Sequence, residues 1–384
     1  MNVVLLSPYF PPNYYHFAVS LRRNGVNVLC IGDAPYDHLI YELRAALTEY
    51  YRVDDLHHYD ALLRACGYFT HRYGKLDRIE SHNEYWLETD ARLRTDFNVH
   101  GPKNADIAWV KQKSKMKQVF SRADIPVARG SVVRTLEEAT HLIAEVGYPV
   151  IAKPDIGVGA NATYKINDAA ALERFFAEKP PVDYILEEFV SGALYSFDGL
   201  VDQEGRIVFC TSHFFNRGIM EIVNDDLEIF YYSMRELPAG LEEIGRRAVA
   251  AFELRERFFH IEFFRVADDR WVALEVNMRP PGGLTMDMFN YANDMDFYQE
   301  WANIVTYNTL RSQPTRPYHC AYIGRKWTVP HRLSHDDVLR RYGPWITYHG
   351  SMSEVLSPAL GHYAYVLRSP DLVELRQIID AIMA

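Results

Sequence analysis

Residues 259–280 read FHIEFFRVADDRWVALEVNMRP. Two runs rich in aromatic and branched residues flank the polar pair Asp268-Asp269, the pattern of two strands joined by a tight turn. With the turn centred on that pair, Ala267 faces Arg270, Val266 faces Trp271, Phe264 faces Ala273 and Glu262 faces Glu275. Side chains alternate between faces, so Asn277 shares a face with both glutamates. Like charges directly opposite each other on a sheet are destabilising, so something positive is expected between them. Two carboxylates and an amide oxygen make a hard oxygen set, suited to Mg²⁺ or Mn²⁺ bound with phosphates rather than to zinc. A solvated strand face carries the same acids with no chemistry, and the hairpin alone does not separate the two readings.

The 384 residues suffice for two or three domains. Apolar content of 48% and charged content of 24% are those of a globular chain able to bury a core. A formal net charge of −10, with no basic tail or stripe, argues against a nucleic-acid partner. Cys30, Cys66, Cys210 and Cys320 are far apart and show no CxxC spacing, which excludes a zinc finger and gives no reason to expect disulfides. A reducing, cytoplasmic location is the expectation. The opening MNVVLLSPYFPP lacks the basic start and apolar stretch of a signal peptide. No run approaches the ~18 apolar residues of a membrane span, so no membrane partner is expected.

NVVLLSP (2–8), a helical stretch 14–24 ending at Gly25, and VNVLCIGD (26–33) give a β-α-β opening, the unit of a parallel α/β domain. Segment 36–75 reads as helical, 75–81 as a strand and 84–97 as a helix; Gly101-Pro102 marks a boundary. A single basic helix, DIAWVKQKSKMKQVFSRA, begins at 106 and leads into a small α/β segment that ends with the strand YILEEFV (184–190). Strands at 194–202 and 206–213 and a helix at 240–253 precede the hairpin. Residues 280–305 read as a loop and then helix, and 315–384 as mixed strand and helix.

IAKPDIGVGANATYKI sets Lys153 at the end of an apolar strand, just before Gly157 and Gly159. Backbone amides in such a turn can cradle phosphate, and a lysine at the strand end can neutralise it. The order differs from GxxxxGK[ST], where the lysine follows the glycines. An ordinary strand–turn–strand hairpin reads the same way. Lys113 lies on the basic helix among Lys111, Lys115 and Lys117, and a helix face with four lysines is ordinarily solvated surface.

Taken in order, these features resemble the ATP-grasp superfamily of ADP-forming carboxylate ligases, over residues 106–305, with a Rossmann-like domain before them. In that family a phosphate-binding lysine lies 13 residues before the proline of an A-G-[IV]-P turn. Here ADIP ends at Pro126, which matches Lys113 to that role, with Asp124 in place of the usual glycine. Lys153, in the family's [VI]-x-K-P, matches the second lysine, and Gly157 and Gly159 the loop that closes over ATP. LEEFV matches the hinge strand that holds adenine. Carried across, the Glu187 backbone accepts from the adenine amino group and the Val190 amide donates to the ring. The family's ribose-binding glutamate falls on Leu194, and Asp198, on the same strand face, is the candidate substitute. The family's metal triad is an acid, a glutamate 13 residues on and an asparagine two beyond, and Glu262, Glu275 and Asn277 reproduce both spacings. Arg279 matches the arginine facing the transferred phosphate. Arg217 and His213, in SHFFNRG, fall where relatives carry a basic residue near the γ-phosphate, although His213 reads equally as a core histidine.

The resemblance implies a mixed α/β protein in four parts: a Rossmann-like domain (1–105), an ATP-grasp lid (106–190), a catalytic subdomain (191–314) and a C-terminal extension (315–384). It implies ATP and Mg²⁺ or Mn²⁺ as cofactors and small-molecule carboxylate and amine substrates, joined through an acyl phosphate with release of ADP. A homodimer is left open. The alternatives are bicarbonate activation as in biotin carboxylases and an ATP-binding protein without turnover. A glycoside hydrolase built on the paired glutamates would need no phosphate-binding lysines.

Overall fold

The computed structural model describes residues 1–157 and 162–384. Its first sheet is parallel, with strands β1 (Asn2–Leu6), β2 (Asn27–Gly32), β3 (Glu49–Arg52) and β4 (Arg78–Glu80) in the order β3-β2-β1-β4. Both faces are covered, as a near-continuous apolar strand demands. Val3, Leu5 and Val28 pack toward Phe17 and Leu21 of helix Tyr15–Arg23. Val4, Leu6, Leu29 and Ile31 pack toward Leu62 and Phe69 of helix Tyr59–Tyr73. The expected continuous helix over 36–75 is corrected. Strand β3 interrupts it, because Tyr50 and Tyr51 extend the sheet edge and cover it with aromatic side chains.

A second, antiparallel sheet holds β5 (Gly130–Val133), β6 (Val150–Pro154), β7 (Tyr164–Ile166) and β8 (Tyr184–Glu188), in the order β5-β8-β6-β7. Helices Leu136–Val146 and Ala169–Glu178 bury one face of it through Ile143, Leu172 and Phe175. The third sheet is the largest. It contains β9 (Ala193–Val201), β10 (Ile207–Phe215), β11 (Ile229–Ser233), β12 (Phe258–Arg265), β13 (Trp271–Asn277), β14 (His319–Arg325), β15 (Ile346–Ser351) and β16 (Tyr363–Ser369). All neighbours are antiparallel, in the order β13-β12-β9-β10-β11-β14-β16-β15. Strands from residues 319–369 thus continue the sheet that carries the glutamate hairpin. HCAYIGR (319–325) supplies its buried strand β14.

The basic helix expected from 106 is two helices, Asn104–Lys111 and Lys113–Arg122, broken at Gln112, whose backbone is extended. The break has a cause in another part of the chain. Asp155, just past β6, accepts from the Ser114 amide (2.7 Å), the Ser114 hydroxyl (2.9 Å) and the Gln112 side-chain amide (2.8 Å). Its carbonyl accepts from the Lys113 amide at 2.8 Å. The orphan donors at the start of the second helix are satisfied by a residue 41 positions away, an N-cap supplied from outside the helix.

Candidate active site

A cavity of about 580 Å³ opens between the second and third sheets. Lys113, Lys117, Lys153, Glu187, Val190, Leu194, Arg217, Glu262, Glu275, Asn277 and Arg279 all line it. Asp155 explains how its two predicted lysines meet. It caps the helix that begins at Lys113 and lies two residues after Lys153, so the same short segment positions both. Lys113 and Lys117 are four apart on one helix face, and both turn inward. The solvated reading of this face is therefore corrected.

Glu187 is the anchor of this end. Its carboxylate pairs with Lys153 at 2.8 Å and with Lys117 at 2.8 Å, and only 4% of the residue is exposed. Burial pushes its pKa up, but Lys153 and Lys117 outweigh burial and hold the carboxyl below its usual range. Sequence reasoning missed the side-chain role of Glu187 and read Lys117 only as solvated surface; the i, i+4 spacing from Lys113 was the available signal.

The backbone expectation for Glu187 is corrected. In an antiparallel ladder alternate residues bond to opposite neighbours. The Phe189 amide donates to Pro149 at 3.2 Å, so the Glu187 backbone, two residues earlier, faces its partner Ile151 within the sheet. Glu188 differs. The Arg129 amide donates to the Glu188 carboxylate at 2.9 Å, not to its carbonyl. Val190 follows beyond the end of β8 and lines the cavity. A Cβ at Gly157 would meet only the Pro154 side chain, at 3.5 Å. Gly159 lies outside the described residues.

Asp198 does not substitute for a ribose ligand. It is fully buried, bonded to His260 Nδ1 (2.5 Å), His213 Nδ1 (2.7 Å) and the Ser196 hydroxyl (2.5 Å). Burial raises its pKa, yet the two histidines hold it well below the usual carboxylate range. His213 is likewise fully buried and stacks near Phe289, so its core reading is the correct one. Leu194 is 5% exposed and forms part of the cavity wall.

The hairpin pairs Glu262 with Glu275, Ile261 with Val276 and His260 with Asn277. Nearer the turn the expected register is corrected by one residue: Phe263 faces Ala273, Phe264 faces Val272 and Arg265 faces Trp271. The shift falls between Glu262 and Phe263 on β12, opposite Leu274, the mark of a bulge. The turn runs through Ala267–Asp269 with Asp268 and Asp269 at positive φ, which Asp tolerates. The glutamates keep their opposition despite the slip. Among the described residues neither forms an ion pair with lysine or arginine. Glu275 accepts from the Asn277 side-chain amide (3.1 Å), and His260 Nε2 lies 3.5 Å from Glu262. Burial pushes the His260 imidazole down, but Asp198 and Glu262 together raise its pKa to about 10. Among the described residues no three His, Cys, Asp or Glu side chains form a metal-holding group. Two opposed carboxylates and an amide, on one wall of a cavity lined by lysines, nevertheless fit a hard cation that shares its remaining positions with phosphate oxygens.

Arg279 reaches across to the first sheet's side of the molecule. It pairs with Glu84 at 2.7 Å and lies 3.4 Å from the Asn277 side-chain oxygen. Burial raises the pKa of Glu84, and Arg279, Lys111 and Lys113 outweigh it, leaving the carboxyl below its usual range. No sequence signal singled out Glu84. Arg217 is exposed at the cavity rim.

The ATP-grasp domain family model matches residues 146–287. The L-arginine-specific L-amino acid ligase of Bacillus subtilis is 23% identical over 249 residues, 61% of this chain and 59% of that protein. The chain thus spans about three fifths of that curated relative. Among solved structures, an L-amino acid ligase from Bacillus licheniformis superposes with a TM-score of 0.73 at 14% identity, covering 99% of this chain and 96% of that one. N5-carboxyaminoimidazole synthetase from Staphylococcus aureus complexed with ADP gives 0.75 at 15% identity, covering 100% and 97%. Residues 146–287 thus match the ATP-grasp domain model, and the mixed α/β architecture of the chain is the fold of these solved structures.

Proposed function

We propose that the chain is an ADP-forming ligase that joins a carboxylate to an amine. A carboxylate oxygen of one substrate attacks the γ-phosphorus of ATP, and the bond to ADP breaks. The amine nitrogen of the second substrate then attacks the acyl carbon. Phosphate leaves with the C–O bond electrons, the nitrogen loses a proton, and an amide remains. The observation that carries this reading is the opposed pair Glu262 and Glu275, with Asn277 and its neighbour Arg279, lining one cavity with Lys113 and Lys153.

Glu262, Glu275 and Asn277 would hold Mg²⁺, which would supply charge neutralisation for the transferring group. Lys113, Lys153 and Arg279 supply fixed positive charge there, which is the main demand of phosphoryl transfer. Glu84 balances Arg279 before substrate arrives. At the adenine end the Glu188 carbonyl and Val190 amide, two residues apart and so on one strand edge, are the acceptor and donor for the base. Arg217 at the rim is available to a substrate or product anion. In this reading residues 1–105 close the acceptor side, 106–190 form the lid, 191–314 carry the metal ligands and 315–384 complete the wall of the cavity. No helix among the described residues is long and apolar enough to cross a membrane, and all four cysteines are free and buried, which supports a reducing cytoplasm. A homodimer is the proposed assembly, checked by light scattering.

The test is an ADP-release screen with pooled amino acids and small carboxylates, followed by mass spectrometry of the products. Amide formation with ADP is expected. AMP and pyrophosphate would overturn the mechanism, and ADP release with bicarbonate alone would move the chain to the carboxylating class.

A further inference from the structure

The candidate metal ligands stand at the end of a polar row that the phosphoryl chemistry does not itself require. Register across β9, β12 and β13 sets it. Asp198 lies opposite His260, which lies opposite Asn277; Ser196 lies opposite Glu262, which lies opposite Glu275. Each strand alternates, so these side chains share one face of the sheet. The row runs from the core to the cavity. Ser196 and Asp198 are fully buried, whereas His260 and Glu262 line the cavity.

A carboxylate taken fully out of water is costly unless its oxygens are paired and bonded. Asp198 meets that condition at both. Its Oδ2 accepts from the Ser196 hydroxyl (2.5 Å) and lies 2.7 Å from His213 Nδ1, and its Oδ1 lies 2.5 Å from His260 Nδ1. His213 stacks on Phe289, which anchors the far end of the row in the apolar core. At the near end, His260 Nε2 lies 3.5 Å from Glu262 Oε1. One imidazole thus stands between a buried carboxylate and a candidate ligand carboxylate, and as imidazolium it presents an N–H to each. Among the described residues it is the only cationic partner of Glu262.

We propose that His260 is a positioning residue: fixed by Asp198 from the core side, it sets the Glu262 carboxylate for a divalent cation shared with Glu275 and Asn277. The proposal rests on the metal assignment above, but not on the identity of either substrate. Without the imidazole, Glu262 would face Glu275 with no cationic neighbour, and opposed like charges turn apart. A partner that holds a metal ligand in its orientation typically contributes about 10–100-fold to metal affinity. The buried Asp198 and its two histidines then serve the hairpin, although none of the three reaches a phosphate-binding lysine.

The experiment measures Mn²⁺ binding by electron paramagnetic resonance, with a non-hydrolysable ATP analogue present, in the wild type and in variants at this position. His260→Ala is expected to raise the Mn²⁺ Kd about tenfold or more. A glutamine amide nitrogen can take the place of Nε2, and an asparagine amide nitrogen that of Nδ1. His260→Gln therefore keeps a donor for Glu262 and should recover most of the affinity, while His260→Asn keeps one for Asp198 alone and should bind as weakly as His260→Ala. A histidine that only supports the core would give the reverse order. Asp198 retains His213 and Ser196 in every variant, so the fold should survive; if His260→Ala does not fold, the Gln and Asn variants decide. Adding His260→Ala to Glu262→Gln should weaken Mn²⁺ binding no further than Glu262→Gln alone, because the histidine acts through that carboxylate. Wild-type affinity in His260→Ala, His260→Asn binding as well as His260→Gln, or additive losses in the double variant overturns the positioning role and leaves the metal ligands in place. A wild type that binds no Mn²⁺ overturns the metal assignment and the positioning role with it. The expected Mn²⁺ pattern in a protein that turns over no carboxylate supports the positioning role and overturns only the ligase reading.

Discussion

The two acidic centres of the cavity have opposite electrostatic designs. In the second sheet, one carboxylate, Glu187, is buried between two lysines at 2.8 Å each and is closed on itself. In the hairpin, two carboxylates, Glu262 and Glu275, face each other with an amide and a histidine as neighbours. The first arrangement is complete without a ligand and fixes where Lys153 and Lys117 point. The second is incomplete by one cation. An acid in a structural ion pair and an acid in a ligand set can thus be told apart by how far the chain itself neutralises them: Glu187 alone meets two lysines, whereas Glu262 and Glu275 share one histidine that Asp198 already holds.

That contrast predicts opposite outcomes for one conservative change. Glu275→Gln is expected to lower Mg²⁺-dependent ADP formation by more than about 100-fold, because charge stabilisation on the transferred group is lost. Its apo Tm should be equal or higher, since like-charge repulsion is relieved. Near-normal turnover in this variant breaks the comparison at its functional end. Glu187→Gln should instead destabilise the apo protein by about 3–5 kcal/mol, since it leaves two lysines in a buried site without their partner. Denaturant titration of the two variants side by side reads the difference, and an unchanged midpoint for Glu187→Gln would remove the structural role assigned to it.

A smaller effect is expected from Asp155→Ala, which removes the cap of helix Lys113–Arg122. The loss should be about 0.5–2 kcal/mol in stability. It should come with a raised KM for ATP, because Lys113 and Lys153 lose their common anchor. An effect on stability alone would mean that the cap does not position the lysines. The pH dependence is the finest probe. Glu187 and Glu84 are both held below the usual carboxyl range. Their stabilising contribution is present above the unfolded carboxyl pKa of about 4.3 and is lost as pH falls through the folded values. Tm should therefore drop on acidification below about pH 4.3, and Glu187→Gln should flatten part of that drop.

Spacing was legible in the sequence wherever chemistry depends on local periodicity. Glu262, Glu275 and Asn277 fell on one face because the strand period is two, and the one-residue slip nearer the turn did not reach them. Lys113 and Lys153 came from order along the chain, and both line the cavity. What stayed illegible depends on contacts between distant segments. Asp155 breaks a helix 43 residues earlier than itself, at Gln112, Glu84 meets Arg279 across 195 residues, and the Glu187 side chain answers a lysine from another element. Asp198 looked available because alternation put it on the right face, but alternation cannot reveal the two histidines that already hold it.

The central claim is that the carboxylate substrate is activated by phosphorylation at a site built for the γ-phosphoryl group. With a carboxylate substrate labelled with ¹⁸O in its carboxyl group, amide formation should deliver one labelled oxygen into the inorganic phosphate, in step with ADP. Phosphate that carries no label while amide accumulates, or label that appears in AMP, would contradict the account.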